Sequence, residues 1–221
     1  EDAKASGDFE KEREYILKST SYWGPMVLKM FGSTLNVKGI ENLPDKGPVV
    51  LVGNHQGYAD IFAYCAAFKK FQFAFVAREN LGKLPFYGKW IKRIRSVLIK
   101  RDDPRASLKA ISEGIEYLNN GFSLVIFPEG TRNKSIDGVL PFHVGSFKLA
   151  EKSGCRIIPM VQNNTAAALE DHLPFFKKTH TVLEFGKPID VASMDREQKK
   201  TLAKDVQDLI EKMYEENKAL V

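Results

Sequence analysis

The sequence has no Cys-x-x-Cys and no His-Glu-x-x-His spacing, so neither common zinc pattern is present. Its two cysteines, Cys65 and Cys155, are too few for a disulfide framework. Cys65 lies in the apolar run Ile61 to Phe68 and reads as a small buried hydrophobe, consistent with a reducing compartment. No stretch reaches the roughly 18 apolar residues that span a bilayer. Nothing resembles a secretory signal. The chain starts at Glu1 without a methionine, which fits a shortened or processed form and leaves an upstream anchor open. There is no Gly-x-Ser-x-Gly elbow, and neither cysteine has a histidine near it in a motif. Covalent catalysis through a side-chain nucleophile therefore has no candidate. No internal repeat or low-complexity linker divides the chain.

What is present suits one sizeable core. The chain has 221 residues, 43% of them apolar, which favours a single α/β domain. Residues 9–31 read as helical, with an interruption expected at Gly24-Pro25. Strands are expected at 35–40, 48–53, 72–77, 97–99, 123–127, 156–161 and 182–185, and the continuous apolar run at 48–53 implies burial on both faces. Helices are expected at 61–68, 104–119, 145–153 and 195–220, the last an amphipathic helix with Lys/Glu pairs at helical spacing. Alternation of the two element types predicts an α/β sandwich: a largely parallel central sheet flanked by helices. We divide the chain into an N-terminal helical, membrane-associating segment (1–32) and a main domain (33–221).

The net charge of +5 is unevenly placed, because residues 69–109 hold twelve Lys/Arg and only three Asp/Glu. Such a segment seeks an anionic partner: a phospholipid surface, a phosphorylated substrate, an acidic carrier protein or nucleic acid. Phe71, Phe73, Phe75, Phe86, Tyr87 and Trp90 interleave with its lysines. The alternate phenylalanines at 71–75 fit the core face of a strand. Trp90 and the lysines are the candidates for a membrane interface.

Two clusters carry the chemistry. His55, then Gln56-Gly57-Tyr58-Ala59, then Asp60, follows the apolar run Val49 to Val52. Phe127-Pro128-Glu129-Gly130-Thr131-Arg132-Asn133 follows Leu124-Val125-Ile126. Residues five apart on an ideal helix diverge by about 140°, so one helical face cannot present both His55 and Asp60. They can meet if His55 lies in a turn and Asp60 in the first helical turn, where the dipole favours a negative charge. Asp60 would then keep one imidazole nitrogen protonated and leave the other to accept a proton. An isolated pair of this kind also fits a turn histidine beside an N-capping aspartate. His143, His172 and His180 have no partner at ligand spacing.

With its Asn54-His55-x-x-x-x-Asp60 block and its Phe-Pro-Glu-Gly-Thr-Arg block in this order, the chain resembles the glycerolipid acyltransferase family, specifically the lysophosphatidic acid acyltransferases. Two further blocks fall on Arg78, Leu81, Pro85 and Gly88 followed by Ile99-Lys100-Arg101, and on Ile157-Ile158-Pro159-Met160-Val161. There are departures. Arg78 stands where lysine is usual, Gly57 where many members have serine, and Phe142-His143-Val144-Gly145 replaces a lysine-rich stretch.

The resemblance implies transfer of an acyl group from acyl-CoA or acyl-acyl carrier protein to the sn-2 hydroxyl of lysophosphatidic acid, giving phosphatidic acid in phospholipid biosynthesis. It implies His55 and Asp60 as catalytic residues, and Arg101, Glu129, Gly130, Thr131, Arg132 and Arg78 as substrate-binding ones. Among these, Arg132 and Arg101 suit a phosphate, because guanidinium forks match its oxygens bidentately. Glu129 is expected to bind a glycerol hydroxyl or brace an arginine, and amides around Gly130 to face an oxyanion. No metal and no cofactor beyond the thioester co-substrate is implied. The expected partners are lysophosphatidic acid, the thioester carrier and an anionic phospholipid surface on the cytoplasmic face of a membrane, not nucleic acid. Two other readings stay open: acylation of glycerol 3-phosphate or another lysophospholipid, and a non-enzymatic binder of anionic surfaces.

Overall fold

The computed structural model describes residues 7–30, 32–100, 102–133, 138–172, 175 and 177–221. Seven strands form one sheet: β1 (Thr34–Lys38), β2 (Val50–Gly53), β3 (Phe73–Arg78), β4 (Val97–Ile99), β5 (Ser123–Ile126), β6 (Ile157–Asn163) and β7 (His180–Phe185), in the spatial order β1-β7-β6-β2-β5-β3-β4. Every neighbouring pair is parallel except β6 and β7. The main helices are α1 (Phe9–Met30), α2 (Ala59–Ala67), α3 (Tyr87–Arg93), α4 (Pro104–Asn119), α5 (Lys148–Ser153) and α6 (Arg196–Asn217). This is the expected α/β domain with a largely parallel sheet.

The strands sit where apolar runs need cover on both sides. All residues of β2, β5 and β6 are buried. β2 lies between the other two, with Val50 opposite Leu124 on one side and Ile157 on the other. Phe71, Phe73 and Phe75 are buried, as a core strand requires. Asp103 caps α4 through the Ala106 N–H at 3.0 Å, and Asp195 with Gln198 forms a capping box on α6.

Four expectations are corrected. α1 runs through Gly24-Pro25 without a break. Gly24 is needed for helix packing: a Cβ there would lie 2.5 Å from Cβ of Cys65 in α2. Tertiary contact overrides the local breaker signal. The expected helix 145–153 begins as a 3₁₀ turn (Val144–Phe147) before α5. β6 extends to Asn163, past the apolar run, because Gln162 and Asn163 continue the ladder with Leu183 and Val182 of β7. Trp90 does not face outward. Its ring packs edge-to-face on Trp23, with centroids 5.0 Å apart, and near Tyr87 at 5.4 Å. Arg95 is likewise drawn inward from the basic segment, making two hydrogen bonds of 2.8 and 2.9 Å to the buried Glu12 of α1. The exposed aromatic of this segment is Phe86, 90% exposed with φ 58°.

Candidate active site

β2, β5, β3 and β6 run parallel, so their carboxyl ends share one edge of the sheet, where open α/β folds bind ligands. His55 follows β2 and Phe127 follows β5. Asp60 lies in the first turn of α2, fully buried. The turn closes the pair: His55 Nδ1 is 2.6 Å from Asp60 Oδ2. The same oxygen accepts the N–H groups of Gln56 (2.8 Å) and Gly57 (3.1 Å). A carboxylate fed by backbone donors accepts from Nδ1–H and leaves Nε2 with its lone pair. His55 remains partly open, with a side-chain exposure of 20%, and it lines a cavity of about 350 Å³.

The other Asp60 oxygen, Oδ1, accepts the hydroxyl of Thr165, just beyond β6. Gln56 Oε1 accepts the Thr165 N–H at 3.0 Å, which ties the histidine turn to the same loop. Asn54 fixes the end of β2 to β6: its Nδ2 donates to the Gln162 carbonyl (2.9 Å) and its Oδ1 accepts the Gln162 N–H (2.8 Å). The imidazole stacks on Phe127, with centroids 4.2 Å apart and planes 14° apart. Three strands thus hold one ring.

Glu129 lies behind this wall, 4% exposed. Its Oε1 accepts the His55 N–H at 2.8 Å and its Oε2 accepts the Leu140 N–H at 3.3 Å. It braces the histidine backbone instead of an arginine or the contents of the cavity. Burial pushes its carboxyl up to about 7, against the lowering effect of those two donors, and the Asp60 charge adds to the rise. Gly130, at φ 70°, allows the sharp turn after β5, but its N–H is bonded to the Phe127 carbonyl at 3.0 Å. That amide is not available to an oxyanion. The Thr131 N–H has no such partner among the described residues.

Arg132 and Arg78 both line the His55 cavity, together with Gly130 and Thr131. Arg78 Nη2 comes within 3.5 Å of the Gly130 carbonyl. The Arg132 guanidinium carbon lies 4.2 Å from the centroid of the Tyr58 ring, and its Nη1 is 3.5 Å from Glu170 Oε1. Arg101 lies outside the described residues. Among the described residues no cluster of three or more His, Cys, Asp or Glu could hold a metal ion.

The acyltransferase family profile matches residues 34–163. The chain belongs to the acyltransferase family. It is 31% identical over 190 residues to a 1-acyl-sn-glycerol-3-phosphate acyltransferase of Borreliella burgdorferi, covering 85% of this chain and 74% of that protein. It is 35% identical over 133 residues to the chloroplastic 1-acyl-sn-glycerol-3-phosphate acyltransferase LPAT1 of Arabidopsis thaliana, covering 59% of this chain and 36% of that protein. Its fold matches the crystal structure of the 1-acyl-sn-glycerophosphate (LPA) acyltransferase PlsC from Thermotoga maritima with a TM-score of 0.81 and 29% identity, covering 93% of this chain and 81% of that one. The chain thus spans only about a third of the plant relative's length.

Sequence reading brought His55, Asp60, Gly130, Thr131, Arg132 and Arg78 to one place. It missed Thr165, Glu170, Tyr58 and the stacking role of Phe127. The last two sit inside the quoted blocks, so their position was visible though their contacts were not. Thr165 and Glu170 follow β6 in a loop with no pattern of its own, and only the neighbouring β2–β6 pairing places them.

Proposed function

We propose that the protein transfers an acyl group from an acyl thioester to the sn-2 hydroxyl of lysophosphatidic acid, releasing the free thiol carrier and forming phosphatidic acid. One observation carries this reading: the unbonded nitrogen of an Asp-held histidine and two arginines, Arg132 and Arg78, face one cavity of about 350 Å³. His55 Nε2 takes the proton of the acceptor hydroxyl as its oxygen attacks the thioester carbonyl carbon. The tetrahedral oxyanion collapses, the C–S bond breaks, and the proton on Nε2 passes to the leaving sulfur. A thioester is already activated, so no acyl-enzyme is needed. General-base assistance of this kind is worth about 10²–10⁴ in rate.

Arg132 and Arg78 hold the phosphate monoester, and the Thr131 N–H is the candidate oxyanion donor. A second cavity of about 350 Å³, lined by Ile99, Ile111, Ile126 and Leu149 and sharing Val76, Ala77, Phe127 and Gly130 with the first, suits an acyl chain. A membrane surface supplies and receives the lipids. Among the described residues no helix is long and apolar enough to cross a membrane. Contact instead falls to the exposed face of α1, with Tyr15, Tyr22, Met26 and Met30, and to the exposed Leu84 and Phe86 among lysines.

The test is transfer of labelled acyl groups from acyl-CoA and from acyl-acyl carrier protein onto lysophosphatidic acid, glycerol 3-phosphate and lysophosphatidylcholine. Lysophosphatidic acid should be preferred, and Arg132→Ala should remove that preference by raising its KM. Efficient transfer to lysophosphatidylcholine, or equal losses on both lipids, would assign Arg132 to a different job. No transfer from either carrier to any acceptor would favour a binder of anionic surfaces.

A further inference from the structure

Glu170 has no part in the chemistry described so far, yet its carboxylate lies against Gly57, Tyr58 and Arg132, the last two of which line the His55 cavity. It stands on a short 3₁₀ turn, Glu170–His172, after β6, and its side chain is only 15% exposed. One oxygen, Oε1, accepts the N–H of Tyr58 at the start of α2 and lies 3.5 Å from Arg132 Nη1. The other, Oε2, is buried without a hydrogen-bond partner among the described residues. An unpartnered buried carboxylate oxygen is costly and calls for an explanation.

The room it occupies belongs to Gly57. A Cβ built on that glycine would lie 2.3 Å from Glu170 Oε2 and 2.5 Å from its Cδ. Any other residue at 57 would push the carboxylate away. Arg132, meanwhile, makes only two contacts that fix its head among the described residues: the face of Tyr58 at 4.2 Å and this ion pair. The pair is longer than a bidentate fork, so the guanidinium donors stay uncommitted to protein acceptors.

We propose that Glu170, admitted by the glycine at 57, is a positioning residue for acceptor recognition: it clamps Arg132 against Tyr58 so that the guanidinium meets a phosphate monoester already aligned. This deepens the reading above and rests on Arg132 as the phosphate contact. Pre-alignment spares the cost of ordering a long side chain during binding. The negative charge next to the arginine does not fill its fork, so a dianionic phosphate can still be accepted. The unpartnered Oε2 follows from the same arrangement, because the carboxylate is oriented by Tyr58 and Arg132 and not by its own full solvation.

The discriminating variant is Glu170→Gln, which keeps an acceptor for the Tyr58 N–H and removes only the charge. With lysophosphatidic acid, KM should rise roughly five- to tenfold at nearly constant kcat, within the coupling range of contacting side chains. The melting temperature should hardly move. In an Arg132→Ala background the same substitution should have no further effect on KM. Gly57→Ser should raise KM in the same direction, and combining it with Glu170→Gln should give less than the product of the two effects. If Arg132→Ala itself leaves KM unchanged, the phosphate-contact reading fails and this proposal fails with it. If Arg132→Ala raises KM but Glu170→Gln does not, or lowers it, Glu170 is a helix cap or a competitor of the phosphate, and the positioning role alone is wrong. Additive effects in the double variant would overturn it equally.

Discussion

The hydroxyl of Thr165 donates to Oδ1 of Asp60 across 105 residues of sequence. The carboxylate that orients His55 is therefore held from two sides. Backbone N–H groups of its own turn bind Oδ2, and a side chain from the end of β6 binds Oδ1. All of this occurs where Asp60 is wholly buried. Hydrogen bonds offset part of the cost of burying a carboxylate, so in the proposed mechanism Thr165 supports the Asp60 side chain that orients His55.

Replacing Thr165 by valine keeps its volume and deletes the donor. A buried acceptor left unsatisfied costs about 1–3 kcal/mol, more when charged. Thr165→Val should lose stability in that range and lower kcat, whereas Thr165→Ser should retain most of both. Urea unfolding and initial rates of acyl transfer measure the two effects. A valine variant equal to wild type in both would show that the hydroxyl does not support Asp60.

The fold was legible where hydrophobic pattern decides it. The apolar stretches 50–52, 124–126 and 157–161 lie in buried strands because none of their side chains can hydrogen-bond to water. The His55–Asp60 contact was legible because a five-residue spacing leaves few ways for the two to meet. What the sequence hid depends on long-range placement. The Phe127 ring reaches His55 because β2 and β5 are neighbours, and Thr165 reaches Asp60 because β2 and β6 are neighbours. Trp90 misled for the same reason: its basic-aromatic surroundings fit an interface, but Trp23 of α1 covers it. The family resemblance implied that Glu129 binds a glycerol hydroxyl or braces an arginine, yet its two oxygens accept backbone N–H groups.

Glu129 should reveal itself through pH. Its carboxyl is raised by burial from 4.5 to about 7. Such a group contributes stability that is fully present below about pH 4.5 and is lost as pH rises through about 7. The shift corresponds to roughly 3 kcal/mol. Glu129→Gln cannot ionise, so its stability should gain on that of wild type between pH 4.5 and 7. Unfolding free energies of both proteins at pH 4.5, 5, 7 and 8 give the comparison. A gap that stays constant over this range would mean that Glu129 titrates like an exposed carboxyl.

Membrane docking should depend on Phe86 and the lysines, not on Trp90. Phe86 is 90% exposed next to Lys83 and Lys89, both exposed. Each Lys or Arg near an anionic surface contributes about 1 kcal/mol, fading with salt. Vesicles containing anionic lipid should bind the protein at low salt, and Phe86→Asp should weaken that binding. Tryptophan emission should change little, since Trp90 is already packed against Trp23. Equal binding to neutral vesicles at low salt would remove the electrostatic contribution, and a large blue shift would mean that α1 and α3 separate at the surface.

Asp60→Asn separates the orienting role from the folding role. The asparagine carbonyl can still accept the Gln56 and Gly57 N–H groups and His55 Nδ1–H, with its amide turned to the Thr165 oxygen, which can accept as well as donate. The turn should therefore form, and thermal unfolding should shift only modestly. The missing charge is felt when His55 carries the proton taken from the acceptor, because an imidazolium beside a neutral amide is less stabilised than one beside a carboxylate. The rate should fall by about 10²-fold or more at unchanged KM, approaching the loss in His55→Ala, for which general-base catalysis sets the scale of about 10²–10⁴. Adding the second substitution to the first should cost little more, because the two residues act as one unit. A folded Asp60→Asn protein that keeps more than about a tenth of wild-type kcat would show that the orienting charge is dispensable, and a His55→Ala protein that does so would send the general-base assignment to some other group in the cavity.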